Sequence, residues 1–245
     1  MWERKMMTAG LRIAVAAAVL GMSQAGARAD VVFSTDFEAG VPAALSPGVA
    51  ALTGVEGFSG LGPVGNVFGG QFLRSQTGNE VTLTLIDLPT HTHISLGFLL
   101  AAIDSLDGTG SFPQGDFLRI TLDGAEIFRE SFANAADYQV QSYEPAAAGV
   151  LARRVDLGFQ GPGGYYTDSA YDMFLEPRLQ NLSHTASSAT FTFVMEGPGV
   201  QDLSDESWAM DNVTVSVTAV PEPSVAWLTV VGLLAAGLVR RRSQA

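Results

Sequence analysis

The sequence predicts an all-β protein, an antiparallel β-sandwich of jelly-roll type with a hydrophobic helix at each end of the chain. Apolar and polar residues alternate with a period of two through most of the interior, which is typical of half-buried strands. Clusters of Gly, Pro, Asp and Ser separate these stretches. Of the 245 residues, 47% are hydrophobic, enough for a large core, and the absence of cysteine excludes disulfides and thiolate metal sites.

About nine strands are predicted, at 31–37, 71–74, 81–85, 94–103, 118–122, 125–132, 150–157, 190–195 and 213–217. Asp123-Gly124 predicts a tight hairpin between the fifth and sixth of them. A short helix is expected at 170–175, ending before Pro177 because a residue that precedes proline disfavours helical backbone. No repeat or linker interrupts the series, so residues 30–219 are predicted to form one domain.

The N-terminal 29 residues predict a signal peptide. Arg4 and Lys5 precede a hydrophobic stretch at 11–22, and the small residues Ala27 and Ala29 flank the site that signal peptidase would cleave. An uncleaved membrane anchor is the alternative. The stretch would span roughly 18 Å as a helix, short of the ~30 Å hydrocarbon core, which favours cleavage and export.

The C-terminal end has three parts: a Pro-Glu-Pro motif, an uncharged span at 225–239 and an arginine triplet. As a helix the span would reach about 22 Å, and the positive-inside rule would keep the arginines in the cytoplasm. The charged and motif residues are Pro221, Glu222, Pro223, Arg240, Arg241 and Arg242.

This tail resembles the PEP-CTERM sorting signal of Gram-negative bacteria, over residues 220–245 only. The resemblance implies recognition by exosortase and a transient inner-membrane stage through 225–239. It also implies delivery of the body to the cell surface, outer membrane or extracellular matrix. A plain C-terminal membrane anchor is the alternative, although such anchors usually run nearer to about 20 residues.

Without its two ends, the body at 30–224 is strongly acidic. It contains 24 acidic residues, six arginines and no lysine, a formal charge of −18. Phosphate binding needs clustered basic residues, so a nucleic-acid partner is excluded. Such a charge keeps a protein soluble and repels anionic surfaces unless divalent cations bridge them.

Two acidic segments, at 35–40 and 206–213, predict a first calcium site. The apolar residues fall on even positions at Trp208 and Met210 but on odd positions from Val213 onward. This change of alternation at Asp211-Asn212 predicts a β-bulge. The pairing is similar to lectin-like jelly rolls, including MAM domains and some carbohydrate-binding modules. That resemblance implies a structural Ca²⁺ held by Glu38 and Asp211, with Asp36 as a further ligand. The alternative is a solvated turn in which Asp211 bonds to nearby backbone.

A second acidic cluster predicts a loop at one end of the sandwich. Asp104 and Asp107 follow strand 94–103, and Asp116 follows at a distance. Carboxylates at a loop end can hold Ca²⁺ or a sugar, whereas a plain Asp-Gly turn is the favoured alternative.

Three histidines remain. His91 and His93 lie two apart and would face the same way on a strand, so with the distant His184 they offer a metal site. Exposed strand histidines are the favoured interpretation.

The leading functional hypothesis is a non-enzymatic surface or matrix protein that binds extracellular polysaccharide. Tyr165, Tyr166, Tyr171 and Trp208 are candidate sugar contacts, and Trp208 suits the core equally well. The alternative is a secreted hydrolase that acts on exopolysaccharide through two carboxylates. No Gly-x-Ser-x-Gly motif and no recognisable Ser-His-Asp set support that alternative.

Overall fold

The computed structural model describes residues 29–109, 115–134, 138–159 and 167–220. Residues 29–219 form one compact unit of two antiparallel sheets. Residues 1–28 of the predicted signal peptide and the predicted sorting residues from Pro221 onward lie outside the described residues. Within the described ranges, no helix is both long and apolar enough to cross a membrane.

Thirteen strands occur in the part of the chain that the structure describes. In chain order they are β1 (Ala29–Thr35), β2 (Leu45–Ser46), β3 (Ala51–Gly54), β4 (Gln71–Gln76), β5 (Glu80–Leu85), β6 (His91–Asp104), β7 (Asp116–Leu122), β8 (Ala125–Phe132), β9 (Val150–Val155), β10 (Asp168–Asp172), β11 (Leu182–Ser183), β12 (Ala189–Glu196) and β13 (Glu206–Ala219).

The larger sheet has the order β3-β4-β13-β6-β10-β9, with β1 also paired to β13 and β11 to β6. The smaller sheet has the order β2-β5-β12-β7-β8. Every pairing between these strands is antiparallel. The predicted all-β, antiparallel sandwich is therefore confirmed. The helices predicted at the two ends of the chain fall outside the described residues.

The predicted hairpin at Asp123-Gly124 joins β7 to β8. Asp123 has φ 51° and Gly124 has φ 81°. Two consecutive positive φ values match the type I′ turn, whose twist fits that of antiparallel strands.

The prediction of a helix at 170–175 was wrong for residues 170–172. Residues 168–172 form strand β10, which pairs with β6 through Ser169–Ala102 and Asp172–Leu99. Only Met173–Leu175 turns, as a 3₁₀ helix whose Phe174 N–H is capped by Asp172 Oδ1 at 3.0 Å. Helix nucleation is costly over so few residues, and sheet pairing with a buried strand prevails.

The main core lies between the two sheets. Trp208 and Tyr171 are both fully buried there, and the rings of Phe98 and Phe193 pack edge to face across it at 5.7 Å. Two of the four aromatic residues considered for sugar contact are thus core residues. The other two, Tyr165 and Tyr166, lie outside the described residues.

A second apolar cluster covers the opposite face of the larger sheet. Leu99, Ala101 and Ile103 of β6 point into it, whereas Leu100 and Ala102 point into the main core. Aromatic residues from the glycine-rich segment 55–70 close this cluster over the sheet, with Phe58 and Phe68 5.5 Å apart. Strand β6 is buried on both faces, which explains its continuous apolar run.

Candidate functional site

The predicted bulge in β13 is confirmed. Asp211 pairs with Leu99 but Thr214 pairs with Gly97, so β13 has one residue more than β6 across this interval. Asn212 has φ 51°, the left-handed backbone that Asn tolerates better than most residues. The bulge leaves Asp211 fully buried.

Glu38 and Asp211 meet at the Gly69-Gly70 turn, which precedes β4. Asp211 Oδ2 accepts the Gly69 N–H at 3.0 Å, and Glu38 Oε1 accepts the Gly70 and Gln71 N–H groups at 2.5 and 3.0 Å. A Cβ at Gly69 would collide with the Glu38 carboxylate. The two carboxylates thus hold one glycine turn.

Negative charge accumulates at this turn. Burial, followed by the negative charges of Glu38 and Asp36, raises the pKa of Asp211 to about 6, although the Gly69 and Asn212 N–H groups that donate to its carboxylate act in the opposite direction. Asp36 is exposed and its Oδ1 accepts the Glu38 N–H at 3.2 Å. The structure therefore brings the three predicted ligands to one place, and Ca²⁺ at this turn stays a prediction.

The structure separates Asp104 from Asp107. Asp104 lies beside Arg74, with Oδ2 and Nη2 3.5 Å apart. Asp107 instead faces Asp116 and Glu206. In the described ranges, these three form the one group of three or more His, Cys, Asp or Glu residues whose ligand atoms all lie within 4.8 Å of one another.

Three different elements supply this acidic cluster. Asp107 is in the loop after β6, Asp116 is the first residue of β7 and Glu206 is the first residue of β13. The Asp107 N–H donates to Asp116 Oδ2 at 2.5 Å, while the Asp116 N–H donates to the Asp107 carbonyl at 2.7 Å. These reciprocal bonds hold the Asp116 carboxylate against the backbone of Asp107.

Neutral amides orient the other carboxylates. The Gln139 side chain donates to Asp107 Oδ1, and the Gln201 side chain donates to Glu206 Oε1 at 2.8 Å. Burial raises the pKa of all three acids, and the negative charges of the cluster and of Asp205 add to the shift. The amides hold the cluster in place without neutralising it.

A groove of about 430 Å³ lies near the Asp104 end of β6. Its lining residues are Arg74, Asp104, Gly158, Phe159, Leu203 and Ser204. The Arg74 guanidinium lies 4.5 Å from the centre of the Phe159 ring and donates to Ser207 Oγ and to the Leu203 carbonyl, each at 2.9 Å. Arg74 is thereby held as a rigid, planar donor group at the wall of the groove.

Asp168 lies beside this groove and is fully buried. Its two oxygens accept the Asp104 N–H at 3.1 Å and the Leu157 N–H at 2.8 Å. Burial, together with the negative charges of Asp104 and Asp156, raises its pKa to about 7 despite those hydrogen bonds.

A second, more polar hollow of about 320 Å³ lies between β1, the bulge and the glycine-rich segment. Hydroxyl, amide and carboxylate groups line it, from Ser34, Thr35, Asp36, Gly65, Asn66, Asn212 and Thr214.

The histidines do not form the arrangement that their spacing indicated. His91 and His184 are both buried, with Nε2 and Nδ1 2.7 Å apart, and His184 Nε2 lies 3.1 Å from Asp123 Oδ2. His93 contacts Thr92 instead, with its Nδ1 2.9 Å from the hydroxyl. The expectation of exposed strand histidines was wrong for His91, because His184, directly after β11, packs against it.

Sequence reasoning missed Glu206 as a member of the acidic cluster. A signal was present, because Glu206 occupies an even position of the strand, as Trp208 and Met210 do, and these even positions face the core. A carboxylate on that face at the start of a strand is predicted to be buried.

No protein-family model and no curated protein matches the sequence. Among solved structures, the CBM22-1 xylan-binding domain from Paenibacillus barcinonensis Xyn10C is 13% identical, with a TM-score of 0.34 over 80% of this chain and 100% of that one. The family 35 carbohydrate binding module from Clostridium thermocellum is also 13% identical, with a TM-score of 0.31 over 74% and 98%.

A cycloisomaltooligosaccharide glucanotransferase from Paenibacillus sp. is 15% identical, with a TM-score of 0.33 over 79% of this chain and 19% of that enzyme. These are likenesses at low TM-score. The assignment of this chain to the antiparallel β-sandwiches accordingly rests on its own two sheets.

Proposed function

We propose that this chain is an exported, non-enzymatic β-sandwich that binds extracellular polysaccharide at the cell surface or in the matrix. The observation that carries the proposal is the groove beside Arg74 and Phe159. It combines a fixed guanidinium, a carboxylate and a hydroxyl with apolar atoms of Phe159 and Leu203.

Such a lining suits a sugar chain. A sugar ring presents hydroxyl groups at its rim and C–H groups on its faces, so it needs a few placed polar partners beside apolar surface. Arg74 supplies a planar donor group, which the almost fully buried Asp104 pairs with, and the exposed Leu203 and Ser204 complete the lining. The groove is also open at the surface.

The export part of the proposal rests on the two ends of the sequence. Signal peptidase would act after Ala29, and exosortase would recognise the Pro-Glu-Pro motif while 225–239 is in the inner membrane. The acidic, lysine-free body then suits an exposed location, where its charge keeps neighbouring copies apart.

Non-enzymatic binding is favoured over hydrolysis by the carboxylates of the groove. Glycoside hydrolysis normally uses two carboxyl groups about 5–10 Å apart, one of them a proton donor. Of the described residues that line the groove, Asp104 is the one acid, and it is paired with Arg74. The neighbouring Asp168 has a raised pKa, but it is fully buried and both its oxygens accept backbone N–H groups, so it is not presented to a bound sugar.

The test is a glycan array of neutral and uronate-containing polysaccharides, probed with the purified full-length chain. Binding of at least one glycan is expected, with no release of reducing ends from that glycan during prolonged incubation. If no glycan is retained, polysaccharide binding is wrong. If reducing ends accumulate, the hydrolase alternative replaces the non-enzymatic one.

A further inference from the structure

Glu206 contains a buried oxygen with no partner among the described residues. The residue is fully buried, and its Oε1 accepts the Gln201 amide. No residue that the structure describes donates a hydrogen bond to its Oε2, and the Asp116 carboxyl group, which lies within hydrogen-bonding reach of Glu206, is itself an acid. An unsatisfied buried carboxylate oxygen is costly, and native proteins rarely retain one without a reason.

The surroundings of Glu206 restrict what can satisfy it. An ionised carboxylate only accepts hydrogen bonds, so the acids Asp107 and Asp116 cannot donate to it unless one of them is protonated. One proton can be shared by two of the three carboxylates, but the third carboxylate then remains ionised beside that pair. A cation can neutralise all three together.

We propose that Asp107, Asp116 and Glu206 form a calcium site at this end of the sandwich. Two oxygens that bind one Ca²⁺ at about 2.4 Å lie at most about 4.8 Å apart, which is the limit that the three ligand oxygens meet. The donor set is all oxygen, as Ca²⁺ prefers. Mg²⁺ is the weaker candidate, because it demands shorter bonds and near-ideal octahedral geometry.

The site would join parts of the chain that are distant in sequence. Asp116 begins β7 of the smaller sheet and Glu206 begins β13 of the larger sheet, whereas Asp107 lies in the loop after β6. A bound ion therefore links both sheets at one end. This inference rests on the cluster alone and is independent of glycan binding in the groove.

The experiment uses the full-length chain, treated with chelator and then titrated with CaCl₂ in a calorimeter. Wild type is expected to bind Ca²⁺ with a dissociation constant of about 1 mM or tighter, within the range of extracellular calcium sites, and to bind MgCl₂ more weakly. Ca²⁺ should also raise its melting temperature, since it binds the folded state alone.

Glu206→Gln is the diagnostic variant, because the amide keeps the shape and the Gln201 contact but removes the charge. In chelator it should melt at or above the wild-type temperature, since the repulsion is relieved. It should bind Ca²⁺ at least about tenfold more weakly than wild type does, and CaCl₂ should not raise its melting temperature. Glu126→Gln, at an exposed position of β8, is the charge-matched control and should respond as wild type.

Three results would overturn the proposal. The first is wild type that neither binds Ca²⁺ nor changes its melting temperature. The second is Glu206→Gln binding Ca²⁺ as wild type does, with Asp211→Asn losing the binding, which would place the ion at the Glu38–Asp211 turn. The third is a melting temperature that depends on pH but not on Ca²⁺, which would show a shared proton.

Discussion

Asp211 Oδ2 accepts the Gly69 N–H at 3.0 Å, across 142 positions of sequence. The bulge that turns Asp211 toward this amide is in the strand next to β1, and Glu38 follows β1. The beginning of the domain, its glycine-rich segment and its last strand are therefore fastened at one place. This relationship makes Asp211 a structural residue whether or not an ion binds beside it.

Asp211→Ala should destabilise the protein by about 2–4 kcal/mol, because it leaves the Gly69 and Asn212 amides without their acceptor. Urea unfolding of the full-length chain measures this loss. Asp36→Ala, at an exposed position beside the same turn, is the control and should cost less than about 1 kcal/mol. Equal effects of the two variants would show that the Gly69 contact contributes nothing.

Without metal, stability should fall as the pH rises from about 4 to about 8. The folded-state pKa of Asp168, about 7, lies above its ordinary 3.8, and that of Asp211 is about 6. The folded state therefore binds more protons in this window than the unfolded state does, so the free energy of unfolding has a negative slope, at most about 1.4 kcal/mol per pH unit for each proton.

Asp168→Asn should flatten that slope, measured by urea unfolding in chelator at several pH values. The new side-chain amide sets its NH₂ group against a backbone N–H, that of Leu157 or of Asp104, so a lower stability at every pH is expected too, and the slope is the readout. Glu126→Gln serves as the control. A wild-type slope in Asp168→Asn would mean that this carboxyl group contributes nothing to the pH dependence.

His91 and His184 should contribute to stability as a pair. Their rings are buried and nearly parallel, with their centres 5.0 Å apart, and His184 Nε2 lies 3.1 Å from Asp123 Oδ2. A double-mutant cycle with His91→Ala and His184→Ala should give a coupling energy of about 1 kcal/mol, typical of a buried hydrogen bond. Strict additivity of the two losses would contradict a direct interaction.

Sorting should depend on the C-terminal motif. Pro221→Ala, or removal of Arg240–Arg242, should leave full-length protein in the inner membrane, because exosortase would no longer recognise or retain its substrate. Immunoblots of membrane, surface and medium fractions measure this. Glu196→Gln, within the sandwich, should be processed normally. Unchanged processing of the tail variants would make the sorting prediction wrong.

Apart from the meeting of Glu38 with Asp211, which came from the resemblance to lectin-like jelly rolls, the parts of the structure that the sequence predicted depend on local patterns. The Asp123-Gly124 hairpin follows from two residues, and the bulge at Asp211 follows from a change of apolar phase within one strand. Asp107 and Asp116 are near in sequence, so a shared loop end was a reasonable expectation. Each of these features is determined within about ten residues of chain.

The features that were not predicted depend on distant pairing. Glu206 reaches Asp116 because β13 pairs with β6, and Arg74 reaches Phe159 because the segment after β9 lies against β4. The pairing of Ser169–Asp172 with β6 likewise overrode the expected helix. Strand order in a sandwich is set by the whole core, and a single sequence carries little local signal for it.

The most direct test of polysaccharide binding in the groove is affinity electrophoresis of the full-length chain in gels that contain the glycan selected on the array. Phe159→Leu keeps most of the buried apolar volume but removes the ring beside Arg74. Phe117→Leu is its matched control, since Phe117 packs against Arg129, 4.2 Å from the ring centre, on the smaller sheet.

Wild type and Phe117→Leu should be retarded equally, and Phe159→Leu should migrate as it does without glycan. Circular dichroism should show that both variants remain folded. Equal retardation of all three proteins would contradict the groove as the binding site, and an absence of retardation in wild type would contradict polysaccharide binding itself.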